Sequence, residues 1–163
     1  MIFGEFFPNP GGKPFTDELR ARVSPGGAFL VELVGTTVLM LVIFAVTDER
    51  NASRPRELTP VVIGLTVTLL ISLLAPLTQA CFNPARDFGP RVWSAIAGWG
   101  SVPFSANGWG WLTVYVVAPL VGAQAGGLCY RIFLRQAYAA VRNEREHRAD
   151  ERDGLAGGGG DLS

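Results

Sequence analysis

Asn83-Pro84-Ala85-Arg86-Asp87-Phe88-Gly89-Pro90, followed by Arg91, is the stretch around which the rest of the chain is organised. Its first two residues are a helix-start signal. Asn caps a first turn by accepting backbone N–H bonds, and Pro fits the first helical position because its missing N–H would go unpaired there anyway. An apolar stretch, residues 60–77, ends only a few residues earlier, so this helix is expected to begin at or inside a membrane. A helix N-terminus held at that depth carries about half a positive charge and several free N–H groups. Arg86 adds a full charge one turn in. Such a site repels cations and donates hydrogen bonds to a neutral polar solute, which is the physics of a pore for small uncharged molecules.

Asn83-Pro84-Ala85 resembles the Asn-Pro-Ala box of the aquaporin (major intrinsic protein) family, and the run to Pro90 is similar to its glycerol-facilitator branch. The water-selective branch usually has a small polar residue where Asp87 stands. The likeness continues through Trp93-Ser94-Ala95-Ile96-Ala97-Gly98-Trp99-Gly100 and into Tyr130-Arg131, covering roughly residues 1–135. By position it matches the second half of such a channel. The fold class this implies is an all-α membrane protein, half of an aquaporin-like bundle, with three transmembrane helices and one re-entrant half-helix carrying the box.

The residues themselves set the spans. The chain has 163 residues and a formal charge of zero, but charges concentrate in 13–22, 48–57 and 131–153. Spanning a hydrocarbon core about 30 Å thick takes about 20 helical residues, and three apolar stretches are long enough: about 28–47, 60–77 and 112–134. The helix after Asn83, about 84–97, is too short to cross. Residues 1–25, rich in Pro and Gly, read as a surface segment with a helical turn near Thr16–Arg22, which the resemblance makes the extracellular connector between the family's two halves. No cleavable signal sequence is evident at Met1-Ile2-Phe3-Gly4-Glu5. The resemblance makes residues 26–135 the second repeat, and 136–163 read as a charged, partly disordered tail with a helix over Arg142–Asp153.

Within these spans several side chains stand out. Glu32 lies in the first span, where an unpaired carboxylate is expensive. It reads either as a snorkelling or protonated Glu, or as an acceptor for backbone N–H groups of the segment before Asn83, and the resemblance supports the second reading. Gly35, Thr36 and Thr37 give a small face for packing, as do Gly64 and the Gly122/Gly126 pair. Thr59 is the expected cap of the second span. Thr66, Thr68 and Ser72 can return hydroxyl bonds to the preceding turn. Pro76 disfavours helix in the residue before it, which predicts irregular backbone over 75–82. Such backbone is tolerated at membrane depth only against protein or a wet cavity. Asp87 and Arg91, four apart, can pair. Trp93, Trp99, Trp109 and Trp111 read as an interfacial belt. Pro119 predicts a kink in the last span, and Gln124 there needs a polar partner.

The resemblance assigns the pore. It makes the carbonyls of Gln79, Ala80 and Cys81 an acceptor ladder, Asn83 and Arg86 the donors, and Ile71 and Ala80 filter positions. Glycerol facilitators usually have an aromatic residue where Ala80 stands, so a wider filter admitting urea or neutral metalloid acids is expected. Cys81 reads as a small buried hydrophobe or as a lumen-facing thiol. With Cys129 it forms no expected disulfide.

The basic residues are distributed unevenly. Arg50, Arg54, Arg56, Arg131, Arg135, Arg142, Arg145, Arg148 and Arg152 stand on one side, against Lys13, Arg20, Arg22, Arg86 and Arg91 on the other. The excess puts the C-terminus in the cytoplasm, with the plasma (inner) membrane as the expected location.

Two inverted repeats build the family's pore, so the expected partner is a complementary half with the first Asn-Pro-Ala box, or another copy of this chain. A split or truncated gene product is the favoured origin. A homo-tetramer follows from the resemblance alone. The expected activity is passive conduction of small neutral solutes such as glycerol and water. The alternative is a non-conducting remnant or a helix-packing modulator of a membrane complex. No nucleophile–base set, metal cluster or phosphate loop points to an enzyme, and no cofactor, metal or nucleic-acid partner is expected. His147 lies in the tail, away from any site.

Overall fold

The computed structural model describes residues 17–51, 54–106 and 108–157. The expectations for residues 1–16 lie outside that range. All regular elements among the described residues are helices: α1 (Asp17–Arg20), α2 (Pro25–Thr47), α3 (Thr59–Thr78), α4 (Pro84–Ser94), α5 (Val102–Ser105), α6 (Gly110–Leu112), α7 (Ala118–Cys129) and α8 (Arg135–Gly157). Among the described residues three helices are long and apolar enough to cross a membrane: Pro25–Thr47, Thr59–Thr78 and the continuous run Gly110–Ala149. At 1.5 Å per residue α4 is about 16 Å long, half of a bilayer core.

The helix ends follow from local chemistry. α2 starts at Pro25, three residues before the expected Ala28. Ser24 caps it by accepting from the Gly27 amide at 3.0 Å, with Pro25 at the first position. At its other end side chains satisfy the last carbonyls: Asn51 Nδ2 donates to Ala45 O, Thr59 Oγ1 to Val46 O and Arg54 Nη1 to Thr47 O. Thr59 is therefore not the expected N-cap of α3. Leu58 stands in that place without a side-chain bond, and the Thr59 hydroxyl also reaches back to Pro55 O. Asp48 accepts from Tyr130 Oη and from the Arg50 amide. Burial pushes the Asp48 carboxyl up, but these bonds outweigh it and hold the group below its ordinary range.

Pro76 does not end α3 where expected. The helix runs on to Thr78, and the irregular backbone is confined to residues 79–82. The Gln79 amide closes the last turn on Ala75 O at 2.9 Å, and Thr78 is tied to Glu32 and Tyr115. These bonds override the local preference before proline. Thr66, Thr68 and Ser72 do bond the turn before them. Gly64, however, faces open space and makes no crossing.

The packing core is α2 against α7. Ideal Cβ atoms at Gly122 and Gly126 would fall within 3.0 Å of α2, against Leu33 O and Thr37 O respectively, so the backbones touch. Thr37 Oγ1 donates across the seam to Gly122 O. Gly35 is equally bare for a reason: a Cβ there would overlap the Phe82 ring. Gln124 is exposed and has no hydrogen-bond partner among the described residues.

Pro119 produces a π-turn in place of the expected kink. It has no N–H to give the carbonyl four residues back, and over Thr113–Val117 the helix widens, with the Ala118 amide bonding Thr113 O. α4 likewise runs into a π-turn, Ala95–Trp99, ended by Gly98 at φ 110°. Trp93 and Trp109 are exposed, whereas Trp111 packs instead with Phe88 and Phe104. In the tail the expected helix over Arg142–Asp153 is longer, Arg135–Gly157, supported by the i,i+4 pairs Arg142–Glu146, Arg148–Glu144 and His147–Glu151; residues 158–163 lie outside the described residues.

Gly126→Ala should lower thermal stability in detergent by about 1–3 kcal/mol, because the methyl has no room against α2. Gly64→Ala should be neutral or slightly stabilising. Equal melting shifts for the two would contradict the packing described.

Candidate functional site

Between α3 and α4, three non-glycine residues adopt left-handed backbone: Gln79 (φ 68°), Ala80 (φ 51°) and Phe82 (φ 56°). Each costs on the order of 1–2 kcal/mol, so something must hold them. Glu32, fully buried on α2, does so. Its Oε1 accepts from the Cys81 amide at 2.9 Å and the Thr78 hydroxyl at 2.6 Å, and its Oε2 accepts from the Phe82 amide at 2.7 Å. Thr78 Oγ1 in turn accepts from the Ala80 amide at 3.3 Å. Three successive N–H groups are thereby turned toward α2. In a trans peptide the carbonyl points opposite the N–H, so the carbonyls of Gln79, Ala80 and Cys81 are turned away from Glu32.

Those carbonyls meet the start of α4. Asn83 caps this helix, its Oδ1 accepting from the Ala85 amide at 2.9 Å, with Pro84 at the first position. That leaves the Nδ2 group as a donor on an exposed residue. Arg86, also exposed, donates through Nη1 to Ala80 O at 3.0 Å and Cys81 O at 3.4 Å. Two rungs of the expected ladder are thus held by Arg86, each keeping a second lone pair. The result is a guanidinium, a helix N-terminus, an amide donor and a row of carbonyls on one side of the chain.

Behind this face lies a buried pair. Arg91 donates to both Asp87 oxygens, Nε to Oδ2 at 2.6 Å and Nη2 to Oδ1 at 2.8 Å. It also donates to Pro103 O in α5 and lies over the Tyr115 ring at 5.6 Å. A bidentate pair whose cation also bonds a backbone carbonyl and an aromatic face is the kind of geometry in which a buried ion pair is tolerated. Phe88, Phe104 and Trp111 close the outer side. Pro84, Ala85, Phe88, Trp111, Leu112 and Val116 line an apolar cavity of about 480 Å³.

Glu32, Gln79, Ala80, Cys81, Asn83, Pro84, Ala85 and Arg86 therefore come together. Ile71 is half-buried beside them, packed against the Leu70–Ala80–Phe82 cluster. The Ala80 side chain is fully buried in that cluster, and the group it offers Arg86 is its carbonyl. The Cys81 thiol is turned inward, packed with Ala28, Val114 and Tyr115, and donates to Asn83 O. Sequence reasoning missed Thr78, Phe82 and Tyr115. Bare Gly35 was the one available hint, since it leaves room for a ring. No group of metal-ligating side chains occurs among the described residues.

Residues 4–130 match the model of the family described as Major intrinsic protein. Among similar curated proteins, aquaporin-9 of Rattus norvegicus is 41% identical over 120 residues, covering 73% of this chain and 40% of that protein. A glycerol uptake facilitator protein of Pseudomonas aeruginosa is 42% identical over 113 residues, 69% of this chain and 40% of its own length. Human aquaporin-10 is 42% identical over 113 residues, 69% and 37% respectively. The chain spans about two fifths of the length of these relatives.

Glu32→Gln keeps the shape but sets an NH2 group against an amide or hydroxyl donor. A loss of about 1–3 kcal/mol is expected, read as a lower melting temperature with faster amide exchange at Cys81 and Phe82. Wild-type stability in this variant would remove the assigned role. Cys81→Ser should be mild, and mercurials should modify Cys81 in the folded chain far more slowly than after unfolding; equal rates would place the thiol elsewhere.

Proposed function

The chain belongs to the major intrinsic protein family, and on that premise we propose that it supplies one wall of a passive transmembrane channel for small neutral solutes, glycerol and water foremost. The observation that carries this reading is the pairing of inward amides with outward carbonyls over residues 79–82, set beside Arg86 and the cap of α4. Polyol hydroxyls and water both donate and accept. They can donate to the free lone pairs of the Gln79, Ala80 and Cys81 carbonyls while accepting from Asn83 Nδ2 and the free Arg86 donors. Monovalent cations meet a fixed guanidinium and the positive end of α4, and should be refused.

In this reading α4 begins near the middle of the membrane, at its Asn83 cap, and runs back to the outer side. Its length of 11 residues and its capped polar start support that. Pro25–Thr47, Thr59–Thr78 and Gly110–Leu134 cross the bilayer, α8 continues into the cytoplasm and residues 1–25 lie outside. The arginine excess at the α2–α3 connector and after Tyr130 supports this orientation.

The open side, with Asn83 and Arg86 exposed, is where a complementary repeat would close the passage, on the same polypeptide or another. Aquaporin-9, aquaporin-10 and the glycerol uptake facilitator, all similar over this segment, favour a polyol-conducting branch. Ala80 contributes its carbonyl, and the filter's width depends on Ala80, on Ile71 and on the complementary wall. Urea and metalloid acids remain secondary cargo of the same site.

Proteoliposomes holding the chain with a complementary repeat should swell in iso-osmotic glycerol several times faster than empty vesicles, without proton or sodium leak. Arg86→Ala should keep glycerol flux and raise cation leak. No swelling by the complete assembly would leave a helix-packing role and end the channel reading.

A further inference from the structure

We propose that Tyr115 is the positioning residue of the solute filter, acting through the Thr78 peptide. This inference rests on the channel reading above and extends it to a residue that touches no solute. Tyr115 is fully buried at the π-turn that precedes Pro119. Its hydroxyl donates to Thr78 O at 3.0 Å. That carbonyl belongs to the last residue of α3, and the next residue, Gln79, is the first of the left-handed positions. At a helix end the final carbonyls have no intrahelical partner, so without the Tyr115 hydroxyl the peptide linking Thr78 to Gln79 is pinned at one end only.

Thr78 is a junction. Its peptide oxygen accepts from Tyr115, and its hydroxyl donates to Glu32 while accepting, on Oγ1, from the Ala80 amide. The tilt of this one peptide plane passes directly to the three that follow, whose carbonyls form the proposed acceptor row. The other side of the Tyr115 ring carries the Arg91 guanidinium at 5.6 Å, itself anchored on Asp87 and Pro103 O. Tyr115 therefore joins the outer segment at α5 to the backbone that meets the solute. The π-turn matters here: the widened turn carries the ring that sits between Arg91 and Thr78.

Tyr115→Phe tests this, because it keeps the ring and the Arg91 contact and removes only the hydroxyl. In lipid nanodiscs, amide exchange of the full chain should accelerate on the order of three- to tenfold at Ala80, Cys81 and Phe82, the range expected for one lost hydrogen bond. Residues 86–94 should stay unchanged. Unaltered exchange at 80–82 overturns the inference, and so does acceleration spread evenly over the chain, which would signal a general loss of packing. In the assembled channel the glycerol-to-erythritol permeability ratio should fall by a similar factor. A conducting variant with the wild-type ratio overturns the inference alone. A wild-type assembly that conducts nothing overturns the channel reading, and the exchange experiment then decides the role of Tyr115 independently.

Discussion

One carboxylate, buried in an apolar helix, determines the arrangement of everything between α3 and α4. Glu32 takes two backbone amides and a hydroxyl on its two oxygens, leaving none of the three donors unsatisfied. Hydrocarbon makes the alternative severe, since an unpaired amide there costs several kcal/mol. The carboxylate and the amides are thus mutually required. Left-handed backbone at Gln79, Ala80 and Phe82 is the geometry that brings those amides to a single helix face.

A second consequence follows from the same bonds. Once the amides face α2, the carbonyls face away, and the backbone becomes a ribbon with a donor edge and an acceptor edge. Arg86 grips the acceptor edge from the next helix, and the buried Asp87–Arg91 pair fixes that helix against α5 and Tyr115. The scaffold beneath is the α2–α7 seam, where Gly122 and Gly126 bring two backbones into contact. Side chains of ordinary size would separate these helices and move Tyr115 away from Thr78.

Much of this was legible in the residues. Three apolar runs, bounded by charge clusters at 13–22, 48–57 and 131–153, gave the spans, and Asn83-Pro84 gave the start of α4 from capping chemistry alone. Glu32, stranded in an apolar run, called for a partner of matching hydrogen-bond capacity. What remained hidden was decided by contacts distant in sequence. Pro76 locally argues for a helix end, but Thr78 is held by Glu32 and Tyr115, 46 and 37 residues away. Nothing in the neighbours of Ala80 reveals its left-handed φ. The Pro119 π-turn depends on how a helix accommodates a missing donor, which spacing alone does not settle.

Gly35 gives the arrangement its depth. The Phe82 ring rests where a Cβ would otherwise be, so the strip of 79–82 sits as close to α2 as two backbones with one ring between them allow. Any methyl at that spot would act as a shim, lifting the strip toward the open side together with its row of oxygens. In the proposed channel, the clearance left to a solute is thus set from behind, by an empty place on a helix that the solute never meets.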